Sequence, residues 1–238
     1  MNFTRFEKPA AVMSDKPEPP GEPPLEAIGA ASDSTGDDPA ATVPGRKRPR
    51  PGERRVQILQ TLAAMLEQPG AERITTAALA ARLDVSEAAL YRHFASKAQM
   101  FEGLIEFIES SVFGLVNQIV EREASGQVQA QRIAAMLLQF GEKNPGMVRV
   151  MVGDALVFEH ERLIARMGQF FDRVESQMRQ SLRAAFDASG RATPTVEAQA
   201  LASAITAFIV GRLQRFARSG FKRSPTDQLD LVLPRLTA

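Results

Sequence analysis

The chain has 238 residues, of which 44% are hydrophobic and 24% are charged, a composition typical of a protein that buries a core. It contains no cysteine, which excludes disulfides, thiolate nucleophiles and cysteine-ligated zinc. No apolar run approaches the roughly 20 residues that span a bilayer, and the first ten residues lack the apolar segment of a secretory signal. We therefore expect a cytoplasmic protein without a membrane partner.

The net charge of +1 hides an uneven distribution. Residues 1–45 contain eight acidic and three basic side chains, a net charge of −5, which leaves +6 for the remainder. The same segment holds eight prolines and few large apolar residues, which predicts a disordered, acidic tail. Residues 46–55 then carry six cations and one acid. Such a run is either a solvated charged segment or a basic arm that touches DNA, and its position beside the motif described below favours DNA.

Apolar residues recur at helical spacing from Glu53 onwards and predict an all-α fold. No segment reads as a strand. The predicted helices are one from Glu53 that ends before Pro69-Gly70, then Ala77 to Leu83, Glu87 to His93, Lys97 to about Glu123, and helices at roughly 127–142, 146–153, 155–188, 195–218 and 226–233, the last stopped by Pro234.

Residues 75–94 supply the parts of a helix-turn-helix, which are a supporting helix, a tight turn and a short recognition helix. Leu79, Leu83 and Leu90 are spaced to pack the two helices together. The opposite face then meets DNA, and the small residues Ala88 and Ala89 allow close approach to the groove floor and to thymine methyl groups.

Hydroxyl residues stand at the predicted helix starts, where side-chain hydroxyls and backbone N–H groups can hold phosphate. Ser96 with Gln99 also forms a capping box. The alternative is that these hydroxyls are ordinary N-caps, but several of them converge on one side of the motif. The predicted DNA-binding residues are Thr75, Thr76, Ser86, Glu87, Ala88, Ala89, Tyr91, Arg92, His93, Ser96 and Lys97.

The run Leu90-Tyr91-Arg92-His93-Phe94-Ala95-Ser96-Lys97, preceded by Ile74-Thr75-Thr76-Ala77-Ala78-Leu79-Ala80, resembles the DNA-binding domain of TetR-type regulators. The resemblance implies a TetR-like fold. It implies a helix-turn-helix domain over residues 53–113 and a C-terminal helical dimerisation and partner-binding domain over 114–238.

Segments at 103–109, 140–146 and 221–227 are similar to one branch of that family, the nucleoid occlusion factors. The similarity covers about residues 53–233 and leaves the acidic tail without a counterpart. This resemblance implies a protein that binds specific chromosomal sites in double-stranded DNA. While bound, it would antagonise polymerisation of FtsZ, the tubulin-like division GTPase, and so block septum formation over the nucleoid.

The same resemblance implies an FtsZ-binding surface between the long helix after the motif and the next helix. An apolar groove with a cationic edge suits an acidic, partly hydrophobic peptide. Leu115 and Gln139 depart from the pattern of the branch, and Phe107 and Met136 have an alternative as ordinary core residues. The implied FtsZ-binding residues are Phe107, Met136, Lys143 and Asn144.

The 195–218 helix carries a face of small residues in addition to its large apolar face. Core packing needs only one face, so the second predicts a homodimer interface. The predicted interface residues are Ala200, Ala204, Ala207 and Gly211.

Catalytic patterns are absent from the sequence. His160-Glu161 lacks the second histidine of a zinc-binding His-Glu-x-x-His motif, and neither a glycine-rich phosphate loop nor a Gly-x-Ser-x-Gly motif occurs. We therefore expect no enzyme, no cofactor and no metal. The competing function is a ligand-responsive repressor with an apolar inducer pocket within residues 120–220, because fold alone does not exclude it.

Overall fold

The structure, a computed structural model, describes residues 52–68 and 73–237. Within them it contains helices and no strand, which confirms the predicted all-α class. The predictions for residues 1–45, for the arm before Gly52 and for Pro69-Gly70 lie outside the described residues. The helices are α1 (Glu53–Leu66), α2 (Thr76–Leu83), α3 (Glu87–Tyr91), α4 (Lys97–Arg122), α5 (Gly126–Lys143), α6 (Pro145–Met151), a 3-10 turn (Asp154–Leu156), α7 (Glu161–Ala188), α8 (Pro194–Arg218) and α9 (Leu229–Leu236).

Helix α4 joins the two ends of the core. Its first turns bury Met100 and Leu104 beside α1, whose Ile58 and Leu62 are also fully buried. Further along, α4 packs against α5 and α7, where Val116 and its neighbours on the same face are buried. A 26-residue helix is therefore part of both the N-terminal group of short helices and the C-terminal bundle.

Helix α7 packs against α5 and α8 through one apolar stripe. The buried members of that stripe are Leu163, Met167, Phe170, Val174, Met178, Leu182 and Phe186. The prediction that this helix begins at residue 155 was wrong. His160 has an extended backbone and its Nδ1 accepts a hydrogen bond from the Arg162 N–H at 3.2 Å, so the helix begins at Glu161.

The prediction that Pro234 stops the last helix was also wrong, because Pro234 lies inside α9. A proline removes one intrahelical hydrogen bond, and the end of α9 has other anchors. The side chain of Gln127 donates to the Thr237 carbonyl at 3.0 Å, and that of Gln131 donates to the Thr237 hydroxyl at 2.5 Å. Buried Leu233 completes the attachment of α9 to α5.

Helices α4 and α8 are each long and apolar enough, by length and composition, to cross a bilayer. The core helix of a soluble protein passes the same test. Ile108 on α4 and Ile209 on α8 lie fully buried in the protein core.

Candidate nucleic-acid interface

The predicted helix-turn-helix is formed by α2, a tight turn and α3. Asp84 ends α2 in the left-handed region with φ of 54°, which the short side chain of aspartate tolerates better than most. Leu79, Leu83 and Leu90 are buried between the helices. These three residues were predicted to pack the motif together, and the structure places them there.

The five-residue helix α3 presents the side chains that were predicted to face DNA. Glu87, Ala88, Arg92 and His93 are exposed, and Tyr91 is 45% exposed. Its other face is closed by Leu90 and, after the helix, by Phe94, each 1% exposed. Ala89 is only half-buried, so both small residues lie on or near the open face.

Each helix of the motif begins at a side-chain hydroxyl that accepts a backbone hydrogen bond from the residue three positions further on. The Thr75 hydroxyl oxygen accepts from the Ala78 N–H at 3.1 Å, that of Ser86 from the Ala89 N–H at 3.3 Å, and that of Ser96 from the Gln99 N–H at 3.2 Å. These three hydroxyls therefore act as N-caps, which is the alternative stated for them above. A hydroxyl that accepts still has its own hydrogen to donate, so capping leaves a phosphate contact open to Thr75, Ser86 and Ser96.

The predicted capping box at Ser96 differs in one detail. Gln99 Oε1 accepts from the Ala95 N–H at 2.9 Å, one residue before the cap. The glutamine still satisfies a free backbone donor at the start of α4, so the local stabilisation is of the expected kind.

Thr76 and Glu87 are linked by a hydrogen bond that the sequence did not predict. The Thr76 hydroxyl donates to Glu87 Oε2 at 2.5 Å and joins the start of α2 to the start of α3. In this conformation the Thr76 hydroxyl is directed to a carboxylate rather than to a phosphate. The carboxylate also places a negative charge beside the exposed face of α3.

Lys97, a predicted DNA-binding residue at the start of α4, forms an ion pair with Glu159 in the loop before α7. Its ammonium also lies 5.7 Å from the centre of the Phe101 ring. The pair joins residues 62 positions apart, and no local pattern around either residue predicts it.

Arg55, at the end of the predicted basic arm, braces the motif from α1. Its guanidinium lies 4.2 Å from the centre of the Phe94 ring and donates to the His93 carbonyl at 3.1 Å. Arg55 is exposed. It therefore combines a packing role at the end of α3 with a position close to the predicted DNA surface.

The predicted FtsZ-binding residues differ in accessibility. Lys143 is exposed and Phe107 is half-buried against the core. Met136 is 2% exposed and Asn144 is 3% exposed, with Asn144 Nδ2 donating to the Phe140 carbonyl at 2.9 Å. Phe107 and Lys143 are therefore the two of the four that are accessible in this conformation, while Met136 and Asn144 are buried.

The predicted dimer face is open in the protomer. Ala200, Ala204 and Ala207 are exposed, and a methyl group built on Gly211 would meet no atom within 4 Å. The buried residues of α8, such as Ile205, lie on the side that faces the core. The face remains a predicted interface of small residues that a second helix could approach closely.

Comparison with known proteins matches two segments of the chain to protein families. Residues 58–104 match the family described as bacterial regulatory proteins of the tetR family, and residues 125–237 match the SlmA-like family described as the tetracyclin repressor-like C-terminal domain. The nucleoid occlusion factor SlmA of Aliivibrio fischeri is 50% identical over 191 residues, covering 80% of this chain and 97% of that protein. SlmA of Escherichia coli is 50% identical over 186 residues, covering 78% and 93%.

Solved structures share the fold at low sequence identity. The regulator FadR of Bacillus subtilis, in complex with stearoyl-CoA, superposes with a TM-score of 0.61 at 13% identity, covering 76% of this chain and 97% of that one. The TetR-family regulator PfmR of Thermus thermophilus superposes with a TM-score of 0.59 at 19% identity, covering 75% of this chain and 95% of that one. These likenesses show the TetR-like fold that the sequence predicts.

Proposed function

The chain belongs to the nucleoid occlusion factor branch of the TetR family, and from that premise we propose that it binds specific chromosomal sites and, while bound, inhibits assembly of FtsZ. The observation that carries the proposal is the 50% identity, which extends over 97% of the Aliivibrio fischeri SlmA relative. In this proposal the chain acts by binding, without catalysis or a cofactor, as a homodimer on the nucleoid in the cytoplasm.

The arrangement of the surfaces supports simultaneous binding of DNA and FtsZ. In this proposal the exposed face of α3 and the start of α4 form the DNA side, and exposed Tyr91 belongs to it. Phe107 lies about three helical turns along α4 from Lys97, and Lys143 lies at the end of α5. DNA and an FtsZ segment would therefore contact different helix faces, with α4 connecting them.

The small-residue face of α8 supports the dimer. DNA-binding proteins with a helix-turn-helix commonly use two copies to read two half-sites one helical turn apart. An exposed stripe of alanines with Gly211 gives a second copy of α8 room for close packing.

The test is light scattering of FtsZ assembly with GTP. A DNA site is first recovered by selection from a random pool with the full chain. FtsZ is then assembled alone, with the protein, with the protein and the selected duplex, and with the protein and a scrambled duplex. We expect the largest fall in scattering with the selected duplex. Normal assembly at saturating site DNA, with DNA binding intact, would contradict the proposal and favour the ligand-responsive repressor.

A further inference from the structure

An arginine-lined cavity of about 260 Å³ lies where the end of α8 meets the turn that leads to α9. It contains none of the residues assigned above to DNA, FtsZ or dimerisation, although Arg212 directly follows Gly211. The lining residues are Arg212, Arg215, Arg223, Ser224 and Asp227.

The charges around this cavity are unbalanced. Five of the nineteen arginines in the described residues hold a carboxylate in an ion pair, namely Arg132, Arg162, Arg166, Arg183 and Arg191. The described residues include no such partner for Arg212, Arg215 or Arg223. Three arginines line this one cavity beside a single lining carboxylate, Asp227, and an anion bound there would compensate the excess positive charge.

The helix dipole accounts for only part of this cluster. Arg215 and Arg218 occupy the last turn of α8, where cations are favourable. Arg212 lies before that turn, with its guanidinium 5.0 Å from the centre of the Phe208 ring, and Arg223 lies beyond the helix. Their convergence with Arg215 therefore needs another explanation.

The turn that carries Arg223 is held in place from both sides. The Ser219 hydroxyl oxygen accepts from the Lys222 and Arg223 N–H groups at 3.1 and 2.9 Å. On the other side, the hydroxyls of Ser224 and Thr226 both donate to the Glu142 carboxylate. Arg223 is thus presented by a fixed backbone, which lowers the entropy lost when a ligand binds.

Phe221 strengthens this attachment. Its φ of 64° is in the left-handed region, which bulky residues rarely adopt. The ring packs edge-on against Phe216 at 5.1 Å and lies 5.2 Å from the guanidinium carbon of buried Arg149. These contacts hold a turn whose backbone geometry would otherwise be unfavourable.

We propose that this cavity binds a small phosphorylated molecule of the nucleoside di- or triphosphate class. Planar guanidinium groups bind phosphate oxygens in pairs, and three of them suit adjacent phosphates better than a single small anion. The Asp227 carboxylate at the same cavity repels phosphate but accepts hydrogen bonds from the hydroxyls of a ribose, as acidic residues do in nucleotide sites.

Calorimetric titration of the full chain with pyrophosphate and with ADP tests the proposal. Arg223→Gln should weaken pyrophosphate binding about tenfold or more, because charge-assisted hydrogen bonds are lost. The matched control is Arg218→Gln, which removes the same charge from an exposed position on α8 outside the cavity, and it should change binding less than about twofold. If Arg223→Gln lowers the melting temperature, Arg215→Gln replaces it, since Arg215 is exposed.

Asp227→Asn tests the sugar contact. It should strengthen pyrophosphate binding by removing a repulsive charge, and it should weaken ADP relative to pyrophosphate. Equal strengthening for both probes would overturn the nucleoside assignment. Absence of saturable binding, or equal losses in Arg218→Gln and Arg223→Gln, would overturn the site. Displacement of pyrophosphate by a nonspecific DNA duplex would assign the cavity to a nucleic-acid backbone and overturn the small-ligand proposal.

Discussion

The ammonium of Lys97 is paired with the carboxylate of Glu159, whose side chain is only 10% exposed. This contact fastens the first turn of α4 to the loop that precedes α7. Two further pairs continue along the same helices, Arg162 with Glu102 at 2.7 Å and the bidentate pair of Arg166 with Glu109 at 2.5 and 3.0 Å. The hydrogen bonds from Arg166 to Glu109 raise the pKa of Arg166 above its ordinary value.

Because Glu159 holds the lysine that we propose as a phosphate contact, it competes with DNA for that charge. Glu159→Gln should raise affinity for the DNA site by about two- to tenfold at low salt and steepen the salt dependence by up to one charge unit. Lys97→Ala should lower affinity on every sequence and flatten the salt dependence by about one unit. Fluorescence anisotropy at several salt concentrations measures both.

The control for Glu159→Gln is Glu123→Gln, which removes a carboxylate from the pair with Arg132 (2.7 Å) at the far end of α4. It changes the total charge equally, and it should leave the slope of log affinity against log salt concentration as in the wild type. An identical gain in both variants would mean that bulk charge, and not release of Lys97, explains the effect. Unchanged binding of Lys97→Ala would remove Lys97 from the phosphate contacts.

Phe107 separates FtsZ binding from DNA binding. Truncation of an aromatic anchor in an interface costs about 1–4 kcal/mol of binding free energy, so Phe107→Ala should weaken FtsZ binding and leave site-specific DNA binding within a few-fold. Since Phe107 is half-buried against the core, some loss of melting temperature accompanies the change. A purely structural role predicts instead that stability, DNA binding and FtsZ binding fall together, by about 3–5 kcal/mol in stability.

Lys143→Ala is the companion variant at that surface, because Lys143 is exposed and its truncation should change the melting temperature little. We expect Lys143→Ala to inhibit FtsZ assembly less than the wild type does. The difference between the two proteins should shrink with added salt, because salt screens the attraction of a lysine to an acidic segment. Full inhibition of FtsZ assembly by a folded Phe107→Ala, Lys143→Ala double variant would eliminate this surface.

Gly211→Leu tests the dimer. A methyl group built at this position meets nothing within 4 Å in the protomer, so the protomer fold should tolerate a larger side chain there. At a close helix interface the added bulk should cost about 1–3 kcal/mol per overpacked site, which sedimentation would report as weaker association. Gly114→Leu is the control, since Gly114 on α4 is exposed and equally open. A dimer of normal stability in Gly211→Leu would place the interface elsewhere.

Gly146 tests the contact between α6 and α1. A methyl group built there would lie 2.1 Å from the Ala63 carbonyl oxygen, so one helix backbone would have to move. Gly146→Ala should lower the free energy of unfolding by about 1–3 kcal/mol in urea denaturation. At exposed Gly114 the same change should raise it by about 0.5–1 kcal/mol, because alanine favours the helix. An equal change in the free energy of unfolding at the two positions would show that α6 and α1 are not in close backbone contact at Gly146.

Local patterns determined much of this protein from its sequence. Helical periodicity predicted the all-α class, and the hydroxyl residues before α2, α3 and α4 marked the helix starts that the structure shows. The run from Leu90 to Lys97 identified the family. These signals lie within one or two turns of chain, where backbone propensity and side-chain spacing act directly.

Only the tertiary structure decided which distant residues meet. The pair of Lys97 with Glu159 joins positions 62 apart, and the hydrogen bond of Thr226 with Glu142 joins positions 84 apart. Burial of Met136 and the convergence of Arg212 and Arg223 depend likewise on how α5, α8 and the turn before α9 pack. Helical spacing shows which residues share a face of one helix, but the neighbour of that face is chosen by packing of the whole core.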